Sequence, residues 1–184
     1  EVGTGFGHFA VGVPDVAGEV YFDPSYSQNP LVNAMCVGLV PKDRLATAAA
    51  GAVGNVLLLV GAETGRDGIH GASGLASRAF DQDQQLRPTV QVGNPFLGKI
   101  LIEACLEALA TGDVRGFQDL GAAGIATATV ESAARSGRGV LLDLSRVHRR
   151  EAGMSGYEVM LSESQERMLL LVPPEKTERV KQVF

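Results

Sequence analysis

The sequence predicts an α+β domain, a mixed sheet with helices packed on it. Three observations predict it. Short apolar runs of strand length recur along the 184 residues. From residue 89 they alternate with segments of helical periodicity. Glycine and proline separate the two kinds of segment.

The elements follow in chain order. "FGHFAVGV", "GEVYF" and "LVNAMCVGLV" read as strands, punctuated by Pro14, "DPSYSQNP" and Pro41. "NVLLLVG" is a buried strand at about residues 55–61, and the glycine-rich loop "TGRDGIHGASG", residues 64–74, follows it. The polar "DQDQQLRP" reads as an exposed loop. "TVQV" is a short strand. Asn94 as N-cap and Pro95 at the first helical position then start a helix that stops at Gly112. "VRGFQ" is a strand, "DLGAAGIATATVESAARSG" a helix of small residues, and "GVLLDL" a strand. "SGYEVML" is a short helix and "ERMLLLVP" a buried strand. "PPEKTERVKQVF" starts a helix at its proline pair.

Bulk composition narrows the function. Hydrophobic residues make up 45% and charged residues 20%, as in globular domains. A net charge of −5 without a basic run excludes an electrostatic footprint for nucleic acid. No apolar run reaches the roughly 18 residues of a membrane helix. Cys36 and Cys105 lie in apolar stretches without CxxC spacing, which predicts reduced, buried thiols. The chain begins at Glu1 with no visible signal peptide, and its last residues read as an interrupted helix. Both ends predict the middle of a longer protein.

Polar residues stand at three strand ends where turn residues alone would serve. They are Gln91, the pair Gln118–Asp119, and "SESQER" at residues 162–167. Next to helix N-termini such groups are placed to hold a ligand, because free backbone N–H groups there favour anions. Each also has a plain reading: Gln91 as an exposed strand residue, Asp119 as a helix cap, Glu163 and Gln165 as loop residues that satisfy the backbone. The glycine loop matches neither GxxxxGK[ST] nor GxGxxG, and no two histidines have metal-ligand spacing.

Taken together, "TGRDGIHGAS", "QVGNPF", "QDLGAAG" and "LSESQERM", in this order, resemble the large, ATP-dependent subunit of phosphoribosylformylglycinamidine synthase. "GEVYFDPSYSQNPLVNAMCVG" is similar to the segment that precedes the glycine loop in that family. The resemblance implies the aminoimidazole ribonucleotide synthetase-like superfamily. It makes residues 1–48 the end of a first N-terminal-type domain and residues 49–184 most of the first C-terminal-type domain. It implies a cytoplasmic ligase of purine biosynthesis that converts formylglycinamide ribonucleotide, ATP and glutamine-derived ammonia into formylglycinamidine ribonucleotide. It also implies a glutaminase subunit and a small accessory subunit as partners in the multi-subunit form, and neither nucleic acid nor membrane.

By the same resemblance Gln91 contacts substrate, Asp119 is a magnesium ligand, and Glu163, Ser164 and Gln165 bind substrate. No catalytic residue is expected within this chain, because the family's catalytic histidines lie outside it. One wall of a cleft is expected to be inactive alone. For Arg66, Asp67 and His70 two readings stand: they bond one another and the backbone to fix the loop, or they face the nucleotide or substrate. The chain departs from the family at Asn94, usually Asp, and at His148 and Gly156, usually Pro. These are loop and cap positions. The rival readings are another ATP-dependent member of the superfamily, such as aminoimidazole ribonucleotide synthetase, and a non-catalytic scaffold half-domain.

Overall fold

A computed structural model describes residues 12–27, 31–69 and 91–184. The chain divides into two compact units, Glu1–Leu45 and Ala46–Phe184.

In the first unit, the described residues form only two single 3-10 turns, Pro24–Tyr26 and Lys42–Arg44. Asp23 caps the first turn by accepting from the Ser25 N–H at 2.9 Å. The strands expected at 18–22 and 31–40 do not form. A strand needs a neighbour for its N–H and C=O groups and a covered face for its apolar side chains. Here Phe22 is 95% exposed and Met35 88%, so neither segment has such a face among the described residues. Of the run at 6–13, residues 6–11 lie outside the described residues. Cys36 is exposed, against the expectation of two buried thiols, because it belongs to this uncovered stretch; Cys105 is buried.

The second unit is built on a sheet of three strands: β1 (Val56–Gly61), β2 (Gly116–Asp119) and β3 (Arg167–Val172). The order is β1-β3-β2, and β3 runs antiparallel to both neighbours. Val56 lies opposite Val172, Gly61 opposite Arg167, and Asp119 opposite Met168. One isolated parallel bridge, Thr64 to Arg149, adds the second sense of pairing. The central place of β3 follows from its sequence. "MLLLV" is apolar on both faces, and only a strand covered on both sides tolerates that.

Alternation along β3 splits the core in two. Leu169 packs with Leu120, Ile125, Ala128, Met154 and Val159. Leu170 and Val172 pack with Ala108 and Val180 on the other side. The helices are α1 (Pro95–Ala110), α2 (Gly124–Arg135), α3 (Gly156–Leu161) and α4 (Thr177–Val183). α2 and α3 therefore cover one face of the sheet, and α1 and α4 the other. Leu170, Leu171 and Val172 are fully buried; each such side chain contributes about 1.5–3 kcal/mol relative to exposure.

α1 starts where the sequence predicts. The Asn94 side chain accepts from the Leu97 N–H at 3.1 Å, with Pro95 at the first helical position. Its buried residues, Leu101, Cys105 and Ala108, fall on one stripe. α3 carries a capping box between Ser155 and Glu158. The strand expected at 139–144 is instead an irregular segment with a 3-10 turn at Leu144–Arg146. Leu142 and Leu144 still pack on the core, while Leu141 is 97% exposed. The apolar alternation is present, but no described strand offers it a ladder.

Candidate functional site

The C-terminal ends of β1 and β2 and the N-terminal end of β3 meet at one end of the sheet. This follows from the registers Gly61–Arg167 and Asp119–Met168. Here the chain collects three segments: loop 62–69 after β1, segment 91–94 before α1, and loop 162–166 between α3 and β3. Residues Gln91 and Glu163, 72 positions apart, come into direct contact.

Gln91, Glu163 and Gln165 form a hydrogen-bonded triad. Gln91 Nε2 donates to Glu163 Oε2 at 2.6 Å. Gln165 Nε2 donates to Gln91 Oε1 at 3.0 Å and to the Glu163 carbonyl at 3.0 Å. Gln91 is exposed and Gln165 half-buried, whereas Glu163 is only 2% exposed. Buried carboxylates need partners. The other Glu163 oxygen, Oε1, accepts from the Ala123 N–H at 3.0 Å. Ala123 precedes α2 in a left-handed conformation and has no capping side chain. Glu163 therefore caps α2 from outside it, negative charge against the positive end of the helix.

Glu166 does the same for α1. Its Oε1 accepts from the Asn94 N–H at 2.9 Å, and its carbonyl accepts from the Ala62 N–H at 2.9 Å. It holds a left-handed φ of 53°, unusual for glutamate. The two glutamates of "SESQER" thus answer the N-termini of two helices, and part of the anion-binding capacity expected there is met by the chain itself. Gly124 makes this approach possible. A Cβ on it would stand 1.9 Å from the Ser162 carbonyl oxygen, and its φ is +51°.

Ser164 is buried and its hydroxyl is engaged. It accepts from the Gly65 N–H at 2.9 Å and donates to Asp67 Oδ2. Ser162 Oγ donates to the Gly65 carbonyl at 2.6 Å. The Glu163 N–H donates to the Asp67 carbonyl at 2.8 Å. Asp67 is held in turn by Arg150, whose Nη2 lies 2.8 Å from both carboxylate oxygens. Arg66 donates from Nε to Glu158 at 2.7 Å and from Nη1 to Glu151 at 3.1 Å. Arg66, beside the Ser155 capping groups, holds the Glu158 carboxyl down at about 2, and Arg66 itself is pushed up by the two glutamates. Both loop charges thus tie loop 62–69 to segment 149–158 and loop 162–166. His70 lies outside the described residues.

Arg167, the last residue of "SESQER", is the buried anchor of these loops. Only 3% exposed, it donates to the carbonyls of Ser164 and Ser162, at 2.8 and 2.6 Å, and to Thr64 Oγ1 at 2.9 Å. Burial pushes its guanidinium down to about 10, partly offset by the charge of Asp67. The signal lies in "RMLLLV": a charged residue heading a fully apolar strand has to be buried with partners.

Asp119 ends β2 and is exposed. It does not cap α2, because the helix begins only at Gly124. Among the described residues its carboxylate has no hydrogen-bond or ion-pair partner. Its neighbour Gln118 accepts from Arg135 Nη1 at 2.8 Å. No three His, Cys, Asp or Glu side chains among the described residues cluster as a metal cage. One free carboxylate nevertheless suits magnesium, which takes one or two protein carboxylates and fills its shell with water and phosphate oxygens. A separate open cleft of about 800 Å³ lies between β1, α2 and segment 138–148; of the site segments only loop 62–69 reaches it, through Ala62 and Glu63.

Comparison with known proteins bears on this arrangement. Residues 52–184 match the family model described as AIR synthase related protein, C-terminal domain. The chain is 57% identical over 182 residues to phosphoribosylformylglycinamidine synthase subunit PurL of Thermomicrobium roseum, covering 99% of this chain and 25% of that protein. Among solved structures it is similar to T. maritima PurL complexed with FGAR, with a TM-score of 0.89 and 43% identity over 96% of this chain and 29% of that one. It is also similar to T. maritima PurL complexed with ATP, with a TM-score of 0.81 and 39% identity over 96% of this chain and 27% of that one. The chain therefore spans about a quarter of the length of the curated relatives it matches.

Proposed function

The chain belongs to the family of AIR synthase related proteins, whose C-terminal domain it carries, and from that premise we propose that it forms one wall of a ligase site. The ligase makes formylglycinamidine ribonucleotide from formylglycinamide ribonucleotide, ATP and glutamine-derived ammonia. The observation that carries this reading is the Gln91–Glu163–Gln165 triad, assembled from segments 72–74 residues apart and presenting neutral amides at the surface. Its similarity to PurL proteins, one of them described in complex with FGAR, supports the substrate. The complex of another with ATP supports the nucleotide.

In this reading ATP phosphorylates the amide oxygen of the substrate, and ammonia then displaces phosphate at that carbon. Gln91 and Gln165 offer amide donors and acceptors to the ribonucleotide. Glu163 holds those amides in place from beneath, and Ser164 anchors loop 62–69 through Gly65 and Asp67. Such fixed alignment lowers the barrier because reacting groups need not be reordered at the moment of transfer. Asp119 would hold magnesium, which when bound supplies charge neutralisation on the transferring phosphate. Ammonia would come from a glutaminase partner, and the enzyme would work in the cytoplasm.

The test is a coupled assay of the full-length protein with ammonia as nitrogen source. ADP formation that depends on both formylglycinamide ribonucleotide and ammonia is expected. ATP turnover indifferent to the ribonucleotide would refute the assignment.

A further inference from the structure

Gly68 lies directly beneath the triad. A Cβ built on it would stand 2.6 Å from Glu163 Cβ, 2.9 Å from Glu163 Oε2 and 3.1 Å from Gln91 Cγ. Oε2 is the atom that accepts from Gln91. Glu163 has little freedom to retreat. It is 2% exposed, its N–H is fixed on the Asp67 carbonyl at 2.8 Å, and its other oxygen is fixed on the Ala123 N–H. Close-packed interiors do not absorb an added methyl without displacing a neighbour. The least anchored neighbour is Gln91, which is exposed.

We infer that Gly68 is a positioning residue for substrate recognition: its bare backbone sets where the Gln91–Glu163 pair stands. The inference rests on the proposed function, in which that pair serves formylglycinamide ribonucleotide. Two constraints coincide at this position. Its φ of +61° favours glycine for backbone reasons alone, and the space above it favours glycine for reasons of the site.

Steady-state kinetics of the full-length protein separate the two. Gly68→Ala should raise the KM for formylglycinamide ribonucleotide about tenfold, as expected for losing one or two hydrogen bonds, with the KM for ATP within about twofold of wild type. Gly112→Ala is the control for backbone strain: its φ is +72° and nothing lies within 4 Å of the added Cβ. It should leave both KM values unchanged. Gly68→Asn carries the same Cβ on a residue that tolerates left-handed backbone, and should shift the substrate KM at least as far. In a Gln91→Ala background, Gly68→Ala should add less than about twofold, because the pair it displaces is already broken. A wild-type substrate KM in both Gly68 variants, an equal shift in Gly112→Ala, or full additivity with Gln91→Ala would overturn the inference alone. A wild-type enzyme that ignores formylglycinamide ribonucleotide would overturn the proposed function and this inference with it.

Discussion

Arg167→Ala should loosen the whole loop end of the sheet. The guanidinium donates three hydrogen bonds, to the carbonyls of Ser162 and Ser164 and to Thr64 Oγ1, at 2.6–2.9 Å. Bonds from a charged donor contribute about 1.5–3 kcal/mol each, so the gross loss is about 4.5–9 kcal/mol. Two effects reduce it. Burying a guanidinium costs several kcal/mol, which the variant no longer incurs. Asp67 also keeps Arg150, so no carboxylate is stranded. The net loss is about 3 kcal/mol, the low end for breaking a buried charged cluster. With about 2–4 °C lost per kcal/mol in a unit of this size, the transition that melts it should fall by about 6–12 °C. Arg167→Lys keeps the charge but cannot fork onto three acceptors, and should recover only part of that fall. Differential scanning calorimetry of the full-length protein reads both variants. An Arg167→Ala transition within about 1 °C of wild type would show that the buried guanidinium does not hold the loops.

Glu158 gives a pH prediction. Its carboxyl is depressed from the usual 4.5 to about 2, first by Arg66 and then by the Ser155 cap. A depressed acid stabilises the fold above its unfolded pKa, and that contribution is lost as pH falls through the folded value. Melting curves of wild type and Glu158→Gln should therefore differ at pH 7 and converge as pH falls from about 4.5 toward about 2; a gap independent of pH would count against the Arg66 pair. Asp119→Asn should lower turnover by about 100-fold or more while leaving thermal stability near wild type, because an exposed carboxylate without a partner among the described residues supports no fold contact there. A magnesium titration checks it, and wild-type rate and magnesium dependence would remove the metal role. Gln91→Ala should raise the KM for formylglycinamide ribonucleotide and spare that for ATP, since a lost hydrogen bond costs about 0.5–1.5 kcal/mol; equal shifts in both would place Gln91 elsewhere in the reaction.

Elements whose causes are local can be read from the residues alone. Asn94 and Pro95 start α1 because the cap and the fixed φ act within four residues. Ser155 and Glu158 start α3 for the same reason. "MLLLV" declared a strand covered on both faces before any neighbour was known. What the sequence could not decide were features whose cause lies far along the chain. "GVLLDL" has the alternation of a strand but no described ladder, and residues 18–22 and 31–40 lack a described partner in the same way. The sequence left Asp119 as a helix cap or, by resemblance, a magnesium ligand; the cap of α2 comes instead from Glu163, 40 residues away. Ser164 looked ready for a ligand, yet Gly65 and Asp67 take its hydroxyl. Local propensity is fixed by the next few residues. Pairing, burial and the direction of a polar side chain depend on which distant segments converge, and only the tertiary structure brings residues 61–69, 91–94, 119–124 and 162–167 to one end of a sheet.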